Sequence, residues 1–441
     1  MAIDIYTLNL SALLTLCGAL FYSNQSKSKT TPPKPTTSQA KQNDSKPYNT
    51  LPFLAVYTLI MTSDWLQGPF LYPLYHDEHS LAPSLISTLF TTGFLSGAAS
   101  GSVIGSLADK HGRKKACLTF CAVYALSCIL TTIPSLPVLF VGRVLGGVGT
   151  SLLFSVFESW MVGDVKGKGH GEELGGLFGV MSTVNSVVAI LSGVGSEWLV
   201  GVAGTRKAPF WAGVVCLVGA AGVIGMFWDE NYGEAGGEEK GADEKKKAKK
   251  SVWAVLSDPK VLSLALSSTI FEGSMYLFVF FWAPALRSVQ STEKGLPYGI
   301  IFASFMAATL ASSLVFAKIT ARQLVSYTNL LLGILGTSSL CFLLSARPRS
   351  EQSTFWVFCI FEAAVGMYFP CMGYLKGRLV DDGVRAQVYG MLRVPLNVFV
   401  VVSLLLTGDG NPFGSVFTIC STLLLAASGA LWTATVNQAA P

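Results

Sequence analysis

Residues 105–115 read GSLADKHGRKK, and this stretch decides how the chain is read. It closes an apolar run, Leu85 to Leu107, with an acid, a glycine turn and the cations Lys110, Arg113, Lys114 and Lys115. Lysine and arginine collect in the cytoplasmic connections of membrane proteins, so the stretch marks a helix end, a membrane face and the cytoplasmic side together. The remaining spans can be counted outward from it.

Of the 441 residues, 51% are hydrophobic and 13% charged, too little polar surface to cover a soluble globule of this length. The mean hydropathy of +0.51 points to lipid as the solvent. A span needs about 20 mostly apolar residues. In front of the deciding stretch lie Ile3 to Tyr22 and Pro52 to Tyr75, and after it Ala116 to Thr132, Val138 to Met161, Leu174 to Val200 and Pro209 to Trp228. A charged, glycine-rich segment follows, with GGEEKGADEKKKAKK at its heart. Six further runs complete the chain: Val261 to Ala283, Leu296 to Ala317, Leu324 to Ala346, Phe355 to Leu375, Gln387 to Leu406 and Phe413 to Val436.

The expected organisation is an extra N-terminal transmembrane helix (1–22), a disordered cytosolic linker (23–50) and a six-helix half (51–228). A charged cytosolic linker (229–257) then leads to a second six-helix half (258–441). The first run opens Met-Ala-Ile-Asp without a basic segment, which favours a retained helix, its N-terminus outside, over a cleaved signal peptide. Alternating the loops puts Lys27 to Lys46, Lys110 to Lys115, Lys166/Lys168, Lys240 to Lys250, Lys318/Arg322 and Lys376/Arg378/Arg385 inside. Only Arg206/Lys207, Arg287/Lys294 and Arg347/Arg349 fall outside.

The net charge of +5 therefore speaks of orientation, and nucleic acid is not an expected partner. The nine cysteines all lie in apolar runs without a Cys-x-x-Cys pair and read as small core residues. The sequons at Asn9, Asn24 and Asn43 are not expected to carry sugar, since one is in an apolar run and two are on the cytosolic side.

Six plus six spans with GSLADKHGRKK after the second resemble the major facilitator superfamily, whose motif at this loop is matched by Gly105, Leu107, Asp109, Gly112, Arg113 and Lys114. Arg143 followed by Gly146, Gly147 and Gly149 is similar to the span-4 pattern of that superfamily. The Gly-Pro pair of the span-5 antiporter signature is missing from Ser192-Gly193-Val194-Gly195, which weighs against drug/proton antiport. Asp64-Trp65-Leu66-Gln67-Gly68-Pro69, the run from Phe154 to Trp160, Ile270-Phe271-Glu272, Gly299 to Ala308, Tyr368-Phe369-Pro370 and Arg393-Val394-Pro395-Leu396 resemble the molybdate-anion transporter family of the superfamily. The resemblance runs from Leu51 to the last span. It implies an all-α polytopic bundle of two halves related by a pseudo-twofold axis, and molybdate import, most naturally at the plasma membrane by a monomer.

A charge held in mid-bilayer costs about 3 kcal/mol on insertion scales, so retained ones are functional candidates. Asp64, Glu272, Arg143, Glu362 and Arg393 are those candidates. Asp64 and Glu272 fall at matching depths in the two halves, about 17 Å into spans 1 and 7. They are the expected proton sites, with Glu362 as a third. An oxyanion calls for permanently charged planar donors, so Arg143 and Arg393 are the expected substrate ligands, helped by Asn185, Asn397 and Gln67. Alternatively each arginine ties helices together through Glu362 or Asp64. Moving two negative charges inward against 100 mV costs about 4.6 kcal/mol, which two co-transported protons would cancel.

Gly105, Asp109, Gly112, Arg113 and Glu158 are expected to form a cytoplasmic latch, with Glu158 completing the network at the motif's cations while the outward-open state lasts. His76-Asp77-Glu78-His79 reads as a solvated turn, and no metal site or cofactor is expected. Gly147-Val148-Gly149 follows no strand and precedes no lysine, so it is no phosphate loop. With no Ser/His/Asp or Cys/His constellation in the chain, catalysis is not expected. Besides molybdate, two readings remain open: a proton-coupled carrier of a sugar or other small solute, and a non-transporting receptor or scaffold.

Overall fold

The structure is a computed structural model that describes residues 5–28, 48–233, 258–291, 295–379, 395–405 and 412–436. Arg393 and the charged run 234–257 lie outside the described residues. The helices, in chain order, are α1 (Ile5–Ser28), α2 (Leu51–Gln67), α3 (Pro83–His111), α4 (Arg113–Thr131), α5 (Leu136–Gly167), α6 (Leu174–Ala203) and α7 (Ala208–Phe227). The second half holds α8 (Pro259–Arg287), α9 (Tyr298–Ala321), α10 (Tyr327–Ser345), α11 (Glu351–Leu379), α12 (Pro395–Leu405) and α13 (Pro412–Val436). No strand occurs among the described residues.

Ten of these helices are long and apolar enough to cross a membrane. α3 is long enough too, but serine, threonine and glycine dilute its apolar character. α2 stops at Gln67 because Gly68-Pro69 follows, then continues as a 3-10 turn (Gly68–Phe70), a helical turn (Leu71–Pro73) and a π-turn (Leu74–Glu78). Pro69 and Pro73 lack the N–H that an unbroken α-ladder needs. Proline opens α3, α5, α7 and α8 in their first turns, where no N–H partner is required.

Within the first half α3 packs on α5, α4 on α5 and α7, and α2 on α6 and α7. In the second, α9 packs on α11, α10 on α11 and α13, and α8 on α13. The extra helix α1 lies along α9. It is fixed by Tyr6 donating to Glu351 Oε1 (2.6 Å), Asn9 to Gln352 (3.0 Å), the Cys17 thiol to the Ala307 carbonyl (3.2 Å) and Asn24 to the Leu314 carbonyl (3.3 Å).

The halves meet through α6 and α9 at a pair of glycines. A Cβ on Gly193 would strike the Gly299 carbonyl, and one on Gly299 the Gly193 carbonyl, so only hydrogen at both positions lets the backbones approach this closely. Glu197 Oε2 then accepts from the Gly299 amide at 2.7 Å, placing a carboxylate at the N-terminus of α9, where free N–H groups and the helix dipole favour it. Rings fill the rest of this seam: Trp65 on Phe302 (5.6 Å between centroids), Phe90 on Phe280 (4.9 Å) and Phe94 on Tyr276 (5.3 Å). Ser87 also donates to the Leu404 carbonyl at 2.5 Å, joining α3 to α12.

Above this seam sits the segment that reads, from sequence, as a solvated turn. The structure corrects that reading. His76 and Asp77 belong to the π-turn, and the Asp77 side chain is only 13% exposed. Asp77 accepts from His76 Nδ1 (2.8 Å), pairs with Arg206 Nη2 (3.0 Å) and takes a close hydrogen bond from Arg287 Nη1 of the second half. Its two arginine partners come from chain segments far away, so local polarity could not reveal them.

Burial alone would raise the Asp77 carboxyl. Hydrogen bonds from Arg287 and His76 and the charges of Arg206 and Arg287 outweigh it, and the carboxyl lies below the ordinary carboxylate value. A depressed carboxyl keeps its pairing free energy at every pH above the ordinary value and loses it only as pH falls through the lowered one. The clamp is therefore charged throughout the pH range in which cells maintain proton gradients.

Asp77→Asn should loosen the outer face. Partly exposed ion pairs are worth up to about 1 kcal/mol each, so losing two shifts the open–closed balance by up to roughly thirtyfold. The check is labelling of a Phe280→Cys chain by an impermeant thiol reagent applied outside; labelling no faster than without Asp77→Asn would show that the clamp does not hold the seam.

Candidate transport site

Arg143 stands in a niche between α3 and α5. The helices can close on each other because Gly147 faces the Gly93 carbonyl and the Gly97 amide, with Ser151 donating to the Gly97 carbonyl (2.8 Å) and Ser96 to the Val144 carbonyl (2.7 Å). One turn away the missing side chain of Gly93 leaves room for the guanidinium, which lies over the Phe90 ring (4.8 Å) and donates Nε to the Leu89 carbonyl (3.3 Å). Among the described residues Arg143 makes no ion pair, and it remains partly exposed. A guanidinium carries five donors, so most of its capacity is open to an anion.

The structure does not bring Glu362 to Arg143. Glu362 is buried at 6% exposure between α9 and α11, where Thr309 donates to its Oε2 at 3.2 Å and to its backbone carbonyl at 3.1 Å. Asp64, on α2, accepts from the Tyr124 hydroxyl of α4 at 2.5 Å, and Tyr124 is itself held by stacking on Phe120 (5.2 Å).

Glu272, on α8, is likewise met by a phenol, Tyr368 of α11, at 2.9 Å; Tyr368 stacks on Phe271 at 3.9 Å. Ser268 adds a second donor at 2.7 Å, and Lys376 Nζ stands 3.5 Å from the same oxygen. Lys376 reads from sequence as a loop cation only. Its position two turns beyond Tyr368 on one helix is the signal that could have placed it, since residues about seven or eight apart share a helix face.

Asn185 of α6 accepts from Trp65 Nε1 at 2.8 Å, which sets it beside the Trp65–Phe302 contact. Gln67 donates to the Ser63 carbonyl (3.4 Å) and faces the Cys128 thiol (3.8 Å). Asn397 is half-buried on α12, two residues after its start. Arg393 falls outside the described residues.

At the end of α3, Asp109 Oδ1 accepts from Arg113 Nε at 2.7 Å. Gly112 turns the chain with φ +110°, a conformation that favours glycine, while Gly105 has open space around it. Glu158 is exposed and makes no ion pair among the described residues; the acid at the motif is Glu230. Glu230 accepts from the amides of Lys114 (2.7 Å) and Lys115 (3.3 Å), capping α4, and Lys114 Nζ donates to the Trp228 carbonyl (2.6 Å). The helical phase explains the difference. Arg113 lies against Gly163 on α5, and Glu158, five residues earlier, points about 140° away at 3.6 residues per turn.

Two six-helix halves closed over a charge-bearing interior define a transporter of the major facilitator type. The structure superposes on a mutant of the nucleoside transporter NupG with a TM-score of 0.69 at 11% identity, over 87% of this chain and 99% of that one. On a mutant of the peptide transporter POT in complex with alafosfalin the TM-score is 0.67 at 16% identity, over 88% and 95%. A family model described as sugar transporters with 12 transmembrane spans matches residues 5–374. The chain is 32% identical over 396 residues to a molybdate-anion transporter of Xenopus tropicalis, covering 85% of this chain and 83% of that protein. It is 31% identical over 464 residues to one of Takifugu rubripes, covering 94% and 92%. The chain belongs to the molybdate-anion transporter family of the major facilitator superfamily, and it is a multi-pass membrane protein.

Two substitutions separate site from latch. Gly93→Ala puts a methyl where the Arg143 guanidinium lies, and a flexible side chain can yield; the KM for transported anion should rise several-fold with little change in melting temperature. Asp109→Asn removes the Arg113 pairing and should slow transport while sparing binding. Lost binding with normal conformational exchange would reverse these assignments.

Proposed function

We propose that the chain is a secondary active importer of molybdate, working by alternating access with protons as the coupling ion, as a monomer in the plasma membrane. The observation that carries the anion reading is Arg143, a permanent cation at membrane depth with no acid partner among the described residues. An unpaired charge there is costly, and a tetrahedral dianion would supply the missing partner. Relatives named as molybdate-anion transporters along 85–94% of the chain support molybdate as that dianion. Asp64, Glu272 and Glu362 are the carboxylates available for protons. The contacts between halves described above lie on the outer side, which supports an inward-facing state of the cycle.

The family model's description as sugar transporters favours a neutral solute instead. A neutral solute would leave Arg143 without a counter-charge in the loaded state, and the anion reading is preferred on that ground.

Uptake in a molybdate-starved host lacking its own importer tests the proposal, with sulfate as competitor. Saturable accumulation that collapses with the proton gradient and resists sulfate is expected. Equal competition by sulfate would overturn the substrate, and uptake indifferent to pH with no accompanying proton flux would overturn the coupling.

A further inference from the structure

The C-terminal half holds a charge cluster that the reading above uses only through its acid. Lys376 Nζ donates to Ser268 Oγ at 2.6 Å and stands 3.5 Å from Glu272 Oε1, while Ser268 and Tyr368 both donate to that same oxygen. The lysine and the glutamate are 17% and 24% exposed, so each keeps part of its surface open although neither is fully at the surface. Around Glu272 the charged and titratable groups are Tyr368 and Lys376, both from α11. The other helices against α8, namely α10, α12 and α13, bring no acid, lysine, arginine or histidine in their described residues.

We propose that Lys376 is a second substrate-binding cation: an incoming oxyanion takes the ammonium away from Glu272, and the released carboxylate accepts a co-transported proton. This rests on the anion reading and gives that reading its coupling step. No covalent bond changes; one proton passes from solution to a Glu272 oxygen, and the ammonium exchanges a carboxylate for an oxyanion oxygen.

Charge accounting supports it. Glu362 is buried between α9 and α11; the described charged groups at membrane depth that stay partly exposed are Arg143, Lys376, Asp64 and Glu272, whose formal charges sum to zero when the carrier is empty. A dianion alone brings that sum to minus two, whereas a dianion with protons on Asp64 and Glu272 restores zero. Reorientation of either neutral form avoids carrying net charge through a medium where each lone charge costs about 3 kcal/mol. Anion without protons, or protons without anion, is penalised, which is what obligatory coupling requires. Lysine suits the exchange because its ammonium is a compact charge on a flexible stem that can turn from one partner to another.

The test uses the full chain reconstituted in liposomes, with molybdate uptake as readout and melting temperature as the control for folding. Glu272→Gln removes the carboxylate that takes the proton, and its uptake should lose its dependence on the proton gradient. The double variant Glu272→Gln/Lys376→Gln loses both charges, so no lone charge is stranded to unfold it, and its KM should rise tenfold or more. A double variant with a KM within twofold of the wild type would overturn the proposal, since Lys376 would then serve only to neutralise Glu272. Absence of saturable molybdate uptake by the wild type would instead overturn the anion reading itself, and the two failures are told apart by that first measurement.

Discussion

Charge cannot be left alone in hydrocarbon, and most of the interior can be understood from how each charge meets that constraint. Glu362 is satisfied by a threonine hydroxyl, Asp64 by a phenol, and Glu272 by a phenol, a serine and an ammonium. Arg143 has a carbonyl and the face of a ring beside it, with no acid among the described residues. The imbalance lies on the side of positive charge, in the half that also supplies the glycine niche.

Closure of the outer face depends on a different constraint, the distance of approach of two backbones. Gly193 and Gly299 set it, and the aromatic contacts above and below follow from that separation. The Asp77 clamp adds charge at the rim, where partial exposure keeps its worth modest. A seam built of ring contacts with a charged rim can part and re-form without breaking a deeply buried ion pair. That suits an element with two stable arrangements.

Much of the fold could be read from the chain because lipid imposes a one-dimensional rule, an apolar run of about 20 residues per span, and because cations mark one face. The apolar runs and the motif at Gly105 to Lys115 needed nothing more. The carboxylates at Asp64 and Glu272 were visible for the same reason, as rare charges inside apolar runs. Their partners were not, because Tyr124, Tyr368 and Lys376 come from other helices and are ordinary residues for the positions they occupy. Glu158 is a different case: its depth along α5 suits the latch, yet in the state the structure holds its angle around the helix points elsewhere, and Glu230 from beyond the end of α7 stands at the motif. Depth follows from counting residues, whereas azimuth depends on which faces pack.

The two carboxylates share a depth and a phenol but differ in one respect that bears on mechanism. Among the described residues Asp64 has no cation beside it, whereas Glu272 has Lys376 at 3.5 Å. A carboxylate met by a neutral donor changes its charge chiefly by exchanging a proton. One paired with a lysine can change its surroundings as well, when another anion competes for the ammonium. In this arrangement only the second carboxylate can sense whether substrate is present, because only its counter-charge is of the kind that substrate seeks. Two acids thus stand at matching depths in the two halves, and the lysine on α11 makes them unequal.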